Sequence, residues 1–163
     1  MSAADLPCVM AIQAEAYAAA DFAPEQPAVF RDRMGLAPDL CLVACDAAGA
    51  VLGYLVSHPW RDGAPPALDS TLGALPAHAD CWYLHDCAVA SRAHGQGMAA
   101  ALYAPALACA RARGLRRGAL VAVGDAAGYW QRLGYRARDL GAGPSRLAAY
   151  GPGACYMVRA LSL

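Results

Sequence analysis

The sequence predicts a single α/β (α+β) domain in which helices cover a sheet. Three observations lead there. The 163 residues suit one hydrophobic core and leave no room for a second domain of ordinary size. Apolar positions recur at helical spacing in several separate segments. Between them lie β-type runs, two of which flank a tight turn.

The elements follow in order. Asp5 and Pro7 open a helix expected to run to about Ala19, with Leu6, Val9, Met10, Ile12 and Tyr17 as its apolar positions. A second short helix is expected over 27–36. The stretch 40–58, "LCLVACDAAGAVLGYLVSH", reads as two strands around an Asp-Ala-Ala-Gly turn, hence an antiparallel hairpin. Residues 59–80 are rich in Pro, Gly and Asp, and a loop of that length inside a small domain is usually functional or mobile. "CWYLHDCAV", 81–89, is a strand. The stretch 96–113 is a helix in which Pro105 removes a backbone bond, so a kink is expected there. "RRGALVAV" is a buried strand, "AAGYWQRLGY" contains a short helix closed by Gly134, and "CYMVRAL" is a last strand.

Composition narrows the partners. Thirteen acidic and thirteen basic side chains balance, so no net field recruits nucleic acid or an anionic membrane, and a small-molecule partner is expected. The seven cysteines form no CxxC pair and sit in apolar stretches like small hydrophobes, which points to a reducing, cytoplasmic setting. The first residues carry no basic signal-peptide region, and no apolar run approaches the ~18 residues of a membrane span. No metal-ligand spacing occurs. The oligomeric expectation is a monomer or homodimer.

The chemistry concentrates at "SRAHGQGMAA", 91–100. A strand ends here and a helix begins, so several backbone N–H groups at the positive end of a helix dipole point one way. Glycines at 95 and 97 let an anion approach the main chain, and Arg92 can neutralise it or order the loop. A pyrophosphate site and a plain glycine-containing junction both fit this segment alone.

At these residues the chain resembles the GNAT superfamily of N-acetyltransferases. The superfamily's Arg/Gln-x-x-Gly-x-Gly/Ala signature matches Arg92 to Gly97, and its aromatic short helix ending in Leu-Gly-aromatic matches "YWQRLGY". The resemblance implies a mixed, mostly antiparallel sheet with helices on both faces, in which a parallel strand pair, 83–89 with 117–123, splays open for acetyl-CoA. The superfamily's usual first strand has no counterpart before the first helix. Within the superfamily, "EAY", "PDL", "HPWRDG" and "YLHDCAV" look like the arylalkylamine (serotonin-type) branch, which implies acetyl transfer to a small primary amine. Acetylation of a protein lysine or N-terminal amine, and a non-catalytic acyl-CoA sensor, are the alternatives.

The site residues follow from both lines. An alkylammonium must lose a proton before its nitrogen attacks a thioester, and imidazole suits that task. His85 is the candidate base, and the branch's other catalytic histidine falls at Tyr83. By a period of two, His85 is expected to share a strand face with Tyr83, Cys87 and Val89, with the second-ranked base Asp86 on the opposite face. The resemblance places the oxyanion on the Cys87 N–H and the pantetheine arm along Ala88 and Val89. It places the pyrophosphate on the loop formed by Arg92, Ala93, His94, Gly95, Gln96, Gly97, Met98 and Ala99. The superfamily's usual acid, a tyrosine, falls at Trp130, which is expected to pack near the thioester sulfur. His58 and Trp60 are expected to wall the amine pocket under the 59–80 loop.

Overall fold

The computed structural model of the protein describes residues 1–141 and 146–161. Helices α1 (Leu6–Ala16) and α2 (Pro27–Leu36) come first, then the hairpin of β1 (Cys41–Cys45) and β2 (Val51–Trp60), then β3 (Cys81–Val89). Helix α3 (Met98–Ala112) leads to β4 (Arg117–Ala122), α4 (Ala127–Arg132), a two-residue β5 (Arg136–Ala137) and β6 (Cys155–Ala160). The six strands form one sheet in the order β1-β2-β3-β4-β6-β5. Every neighbour pair is antiparallel except β3 with β4.

Local chemistry explains the hairpin and the helix ends. Asp46 Oδ1 accepts the N–H groups of Ala48 and Ala50, and Gly49 takes φ +84°, so the turn forms where the Asp-Ala-Ala-Gly reading put it. Helix α1 stops at Ala16 rather than Ala19. Tyr17 leaves helical geometry, and its hydroxyl donates to Asp86 on β3 at 2.6 Å, pinning the chain to the sheet. Helix α3 runs unbroken through Pro105.

The sheet has a core on each side. Leu40, Leu55, Trp82, Leu84, Leu120 and Met157 pack with Leu102, Tyr103 and Ala106 of α3 on one face. On the other, Tyr54, Val56 and Ala88 pack with Leu6, Val9 and Ile12 of α1 and Val29 and Phe30 of α2. At the far end, the buried Asp62 carboxylate accepts both Arg138 Nη groups, the Tyr156 hydroxyl and Arg117, fastening the end of β2 to β4 and β6. No helix among the described residues is long and apolar enough to cross a membrane.

Two irregularities of β3 shape the site. Its parallel pairing with β4 lasts only from Trp82–Gly118 to Leu84–Leu120, after which the strands part. Its pairing with β2 slips between Val56–Asp86 and Ser57–Leu84, so His85 is an extra, bulged residue.

Candidate active site

The bulge corrects the expected strand faces. Leu84 and Cys87 both contact the α3-side core, whereas Asp86 bonds Tyr17 and Tyr54, and His85 bonds Glu25, on the side of α1 and α2. His85 and Asp86 are therefore together, and Cys87 has moved to the other face. One inserted residue breaks the period of two, which is why simple alternation failed at this point.

Where β3 and β4 part, a cavity of about 630 Å³ opens. Its walls include His85–Val89 on one side, Leu120, Val121 and 123–126 on the other, and Trp130. The end near α1 is closed by Tyr17, Phe22 and residues 150–152. Tyr17 and Phe22 rings meet at 5.3 Å, giving this end an aromatic wall.

The main chain of β3 presents donors to the cavity. Ala90 N–H donates to Leu52 C=O on β2 at 2.8 Å, so by antiparallel alternation the N–H groups of Val89 and Cys87 face the side that β4 has left. The loop that follows is tightly held. Arg92 Nη2 donates to Val51 C=O at 3.0 Å, His94 Nε2 lies 2.9 Å from Val89 C=O, Gln96 Nε2 donates to Arg92 C=O at 3.0 Å, and Ala93 is buried. Arg92 thus orders the loop. Gly95 and Gly97 take φ +75° and +77°, the left-handed region that favours glycine. Among the described residues, the N–H groups of Gly95, Gly97, Met98 and Ala99 find no acceptor, and no atom lies within 4 Å of where a Cβ on either glycine would stand. A diphosphate fits this cradle.

The titratable groups converge behind the same wall. His85 Nε2 lies 2.6 Å from Glu25 Oε2, with both side chains nearly inaccessible at 1% and 6%. Burial alone would raise the Glu25 carboxyl. The His85 hydrogen bond and charge, the Asp69 N–H and the nearby Arg33 guanidinium outweigh it and hold the group below the usual carboxylate range. With Glu25 ionised, Nε2 of His85 carries the hydrogen, leaving the lone pair on Nδ1, which is buried and has no hydrogen-bond partner among the described residues. Glu25 comes from the Pro-flanked turn before α2, sixty residues away in sequence, and no local pattern marks it.

The other expected residues lie as follows. Both oxygens of Asp86 are engaged, by Tyr17 at 2.6 Å and Tyr54 at 2.7 Å, and burial raises its carboxyl despite those donors. Burial pushes the Cys87 thiol up to about 12, which removes thiolate chemistry at neutral pH. Tyr83 is buried, and burial, with Tyr150 near it, raises its phenol well above the usual value. His58 is likewise buried, its ring 6.2 Å from that of His85 and 5.6 Å from that of Tyr83. Burial, with His85 beside it, holds the His58 imidazole well below its usual value, hence neutral. Trp60 donates to Ala64 C=O in the long loop at 2.7 Å, and neither it nor His58 lines the cavity. Trp130 does, although most of its indole packs among Tyr103, Tyr129 and Tyr135. Among the described residues no group of His, Cys, Asp and Glu could hold a metal ion.

Known proteins share this architecture. The sequence matches the Acetyltransferase (GNAT) family over residues 6–135. A search of curated protein sequences gives no significant match. Among solved structures, Ard1 from Thermoplasma volcanium superposes with a TM-score of 0.74 at 17% identity, covering 100% of this chain and 95% of that one. The GphF GNAT-like decarboxylase in complex with isobutyryl-CoA gives a TM-score of 0.75 at 18% identity, covering 99% and 97%. Naa20 of Chaetomium thermophilum in complex with a bisubstrate analogue gives 0.67 at 18% identity, covering 98% and 84%. The match spans most of the sequence, from α1 through the glycine loop to the Leu-Gly-Tyr end of α4, and with it the chain belongs to the GNAT family of acetyltransferases.

Proposed function

We propose that the protein moves an acetyl group from acetyl-CoA to a small arylalkylamine-type primary amine by direct attack within a ternary complex. The observation that carries this reading is the Glu25–His85 pair set in the wall of the cavity where β3 leaves β4.

In this reading the pyrophosphate rests on the N–H groups of Gly95, Gly97, Met98 and Ala99, and the pantetheine arm pairs with Val89. The thioester carbonyl accepts from the Cys87 N–H. The amine enters past Tyr17 and Phe22, where the rings suit an aromatic body. Among the described residues the lining includes Asp21 and Asp86 and no arginine, which favours a cationic acceptor without a carboxylate. The ammonium gives its proton to His85 Nδ1 through a water, because that nitrogen is itself buried, while Glu25 stabilises the imidazolium. The free amine attacks the thioester carbon. Negative charge collects on the carbonyl oxygen at the Cys87 N–H, and collapse breaks the C–S bond. As the adduct collapses its nitrogen sheds its second proton to water, and CoA thiolate, with a pKa near the ~8.5 of cysteine, departs as the anion and is protonated from that water, so Trp130 is not required as an acid. Cys87 forms no acyl-enzyme because its thiol stays protonated.

The test is free-thiol release from acetyl-CoA across a panel of phenylethylamine, tryptamine, their amino-acid counterparts, and peptides with free N-termini or lysines. Turnover with the arylalkylamines above the others supports the reading. Preference for peptides assigns a protein acceptor instead, and acetyl-CoA binding without release for any amine assigns a sensor.

A further inference from the structure

We propose that Asp69, in the long loop between β2 and β3, is a positioning residue that aims the Glu25 carboxylate at His85 through its left-handed backbone. The inference rests on the reading of Glu25–His85 as the proton-accepting pair.

Asp69 is, among the described residues, the one non-glycine with positive φ, at +50°. Such a backbone disfavours side chains with a Cβ and persists where the surroundings hold it. The surroundings here are reciprocal. Asp69 N–H donates to Glu25 Oε1 at 2.8 Å, and Asp69 Oδ1 accepts the Gln26 N–H at 2.7 Å. The remaining Glu25 oxygen, Oε2, meets His85. The carboxylate is thus gripped at one oxygen by the loop and offered at the other to the imidazole. The loop has further anchors on α2. Arg33 Nη1 donates to Ser70 C=O at 3.0 Å, and both oxygens of Asp32 accept from the N–H groups of Leu72 and Gly73. The 59–80 loop therefore acts as a brace behind the base, and Asp69 is the point at which the brace reaches it.

The charges that face Glu25 come from every side. His85 and Asp86 lie on β3, with Tyr17 at the end of α1 and Tyr150 beyond β5. Arg33 on α2 is the cation near it, the Asp69 carboxylate faces the Gln26 N–H, and neutral His58 on β2 stands behind His85. Removing the Asp69 N–H from Oε1 leaves the carboxylate with fewer donors, so the pair protonates at higher pH.

The experiment compares Asp69→Asn, Asp69→Gly and Asp69→Val in the full chain. Asparagine and glycine accept the left-handed backbone, whereas valine does not. Three quantities are read: the thermal shift with acetyl-CoA, turnover against pH, and the pH titration of the 13C-labelled Glu25 carboxyl. Expected is an intact acetyl-CoA shift in all three. Turnover in Asp69→Val falls ~10-fold at neutral pH, as for other groups that orient a functional side chain. Its acid limb and its Glu25 titration both move upward by about half a pH unit or more, the direction that loss of a donor dictates. Asp69→Asn stays native, and Asp69→Gly keeps the native Glu25 titration. An unmoved titration in Asp69→Val, or a loss in Asp69→Asn equal to that in Asp69→Val, overturns the proposal. If Asp69→Val fails to fold, Asp69→Ala is read in the same way with a smaller shift in the same direction, and no shift there overturns it too. A native chain that turns over no amine would refute the function reading alone, because the Glu25 titration still decides the positioning.

Discussion

Replacing Glu25 by glutamine probes the pair with little change of shape. Oε1 of the new amide still accepts the Asp69 N–H, so the loop stays anchored. Its NH2 group then faces His85 Nε2 across the former 2.6 Å contact and donates to it. The imidazole must answer by carrying its hydrogen on Nδ1, the nitrogen that should take the substrate's proton. The negative charge is lost as well. At about 4 Å and an effective dielectric near 20, that charge is worth ~4 kcal/mol to a full imidazolium. With a proton about half transferred in the transition state, ~2 kcal/mol of barrier follows, or roughly 30-fold. The wrong tautomer adds to it, within the ~10²–10⁴-fold range of general acid–base catalysis. Turnover measured by thiol release should therefore fall at least ~10²-fold while the thermal shift with acetyl-CoA is retained. His85→Gln should fall by a similar factor, and the double variant by little more than either single one. Additive losses, or Glu25→Gln at native turnover, would refute the pairing.

Two further predictions test the surroundings. Trp130→Tyr places a phenol at the cavity wall, and turnover should hold or rise, whereas Trp130→Phe should keep turnover with a small loss of stability; equal losses of both in the two variants would mean that the indole serves only the core. At the other end of the sheet, the Asp62 carboxyl would be raised by burial, but Arg138, Tyr156 and Arg117 pull it below its usual value. Its contribution to stability is therefore present above the ordinary carboxylate pKa of ~3.9 and is lost as pH falls through the lower folded value. Asp62→Asn should cost about 2 kcal/mol at pH 7, a melting temperature lower by roughly 4–8 °C, with the partly exposed arginines limiting the loss. The difference from the native chain should shrink below about pH 4, and a constant difference down to pH 2 would contradict the ion-pair account.

Much of this site was legible in the sequence, because its parts are local. The strand 81–89, the glycines at 95 and 97 and the helix after them are written in contiguous residues, and the open N–H cradle follows from their geometry. What was hidden depends on pairing across the chain. The bulge at His85 is set by the register of β3 on β2, and nothing within "YLHDCAV" announces it, so strict alternation along the strand puts Cys87 and Asp86 on the wrong faces. Glu25 meets His85 across sixty residues of sequence, and Tyr17, just past the end of α1, meets Asp86 across sixty-nine, so neither contact is written in a local pattern. His58 looked like a pocket wall from its place at the end of the hairpin. In the fold it stands buried behind His85, because the cavity opens at the other end of β3, where β4 departs.

The central claim is that acyl-CoA lies in the opening between β3 and β4 with its phosphates on the loop at Gly95 and Gly97, and acetyl-CoA binding to the native chain and to Gly97→Glu tests it most directly. At a hundred times its dissociation constant the ligand adds ~2.7 kcal/mol, which for a domain of this size raises the melting temperature by roughly 5–10 °C. The glutamate sets a carboxylate against the phosphates in a left-handed position where Cβ has room but the backbone is strained. A clear shift in the native chain that vanishes in a folded Gly97→Glu is the predicted result, and a native chain with no shift, or a variant that keeps the full shift, would contradict the account.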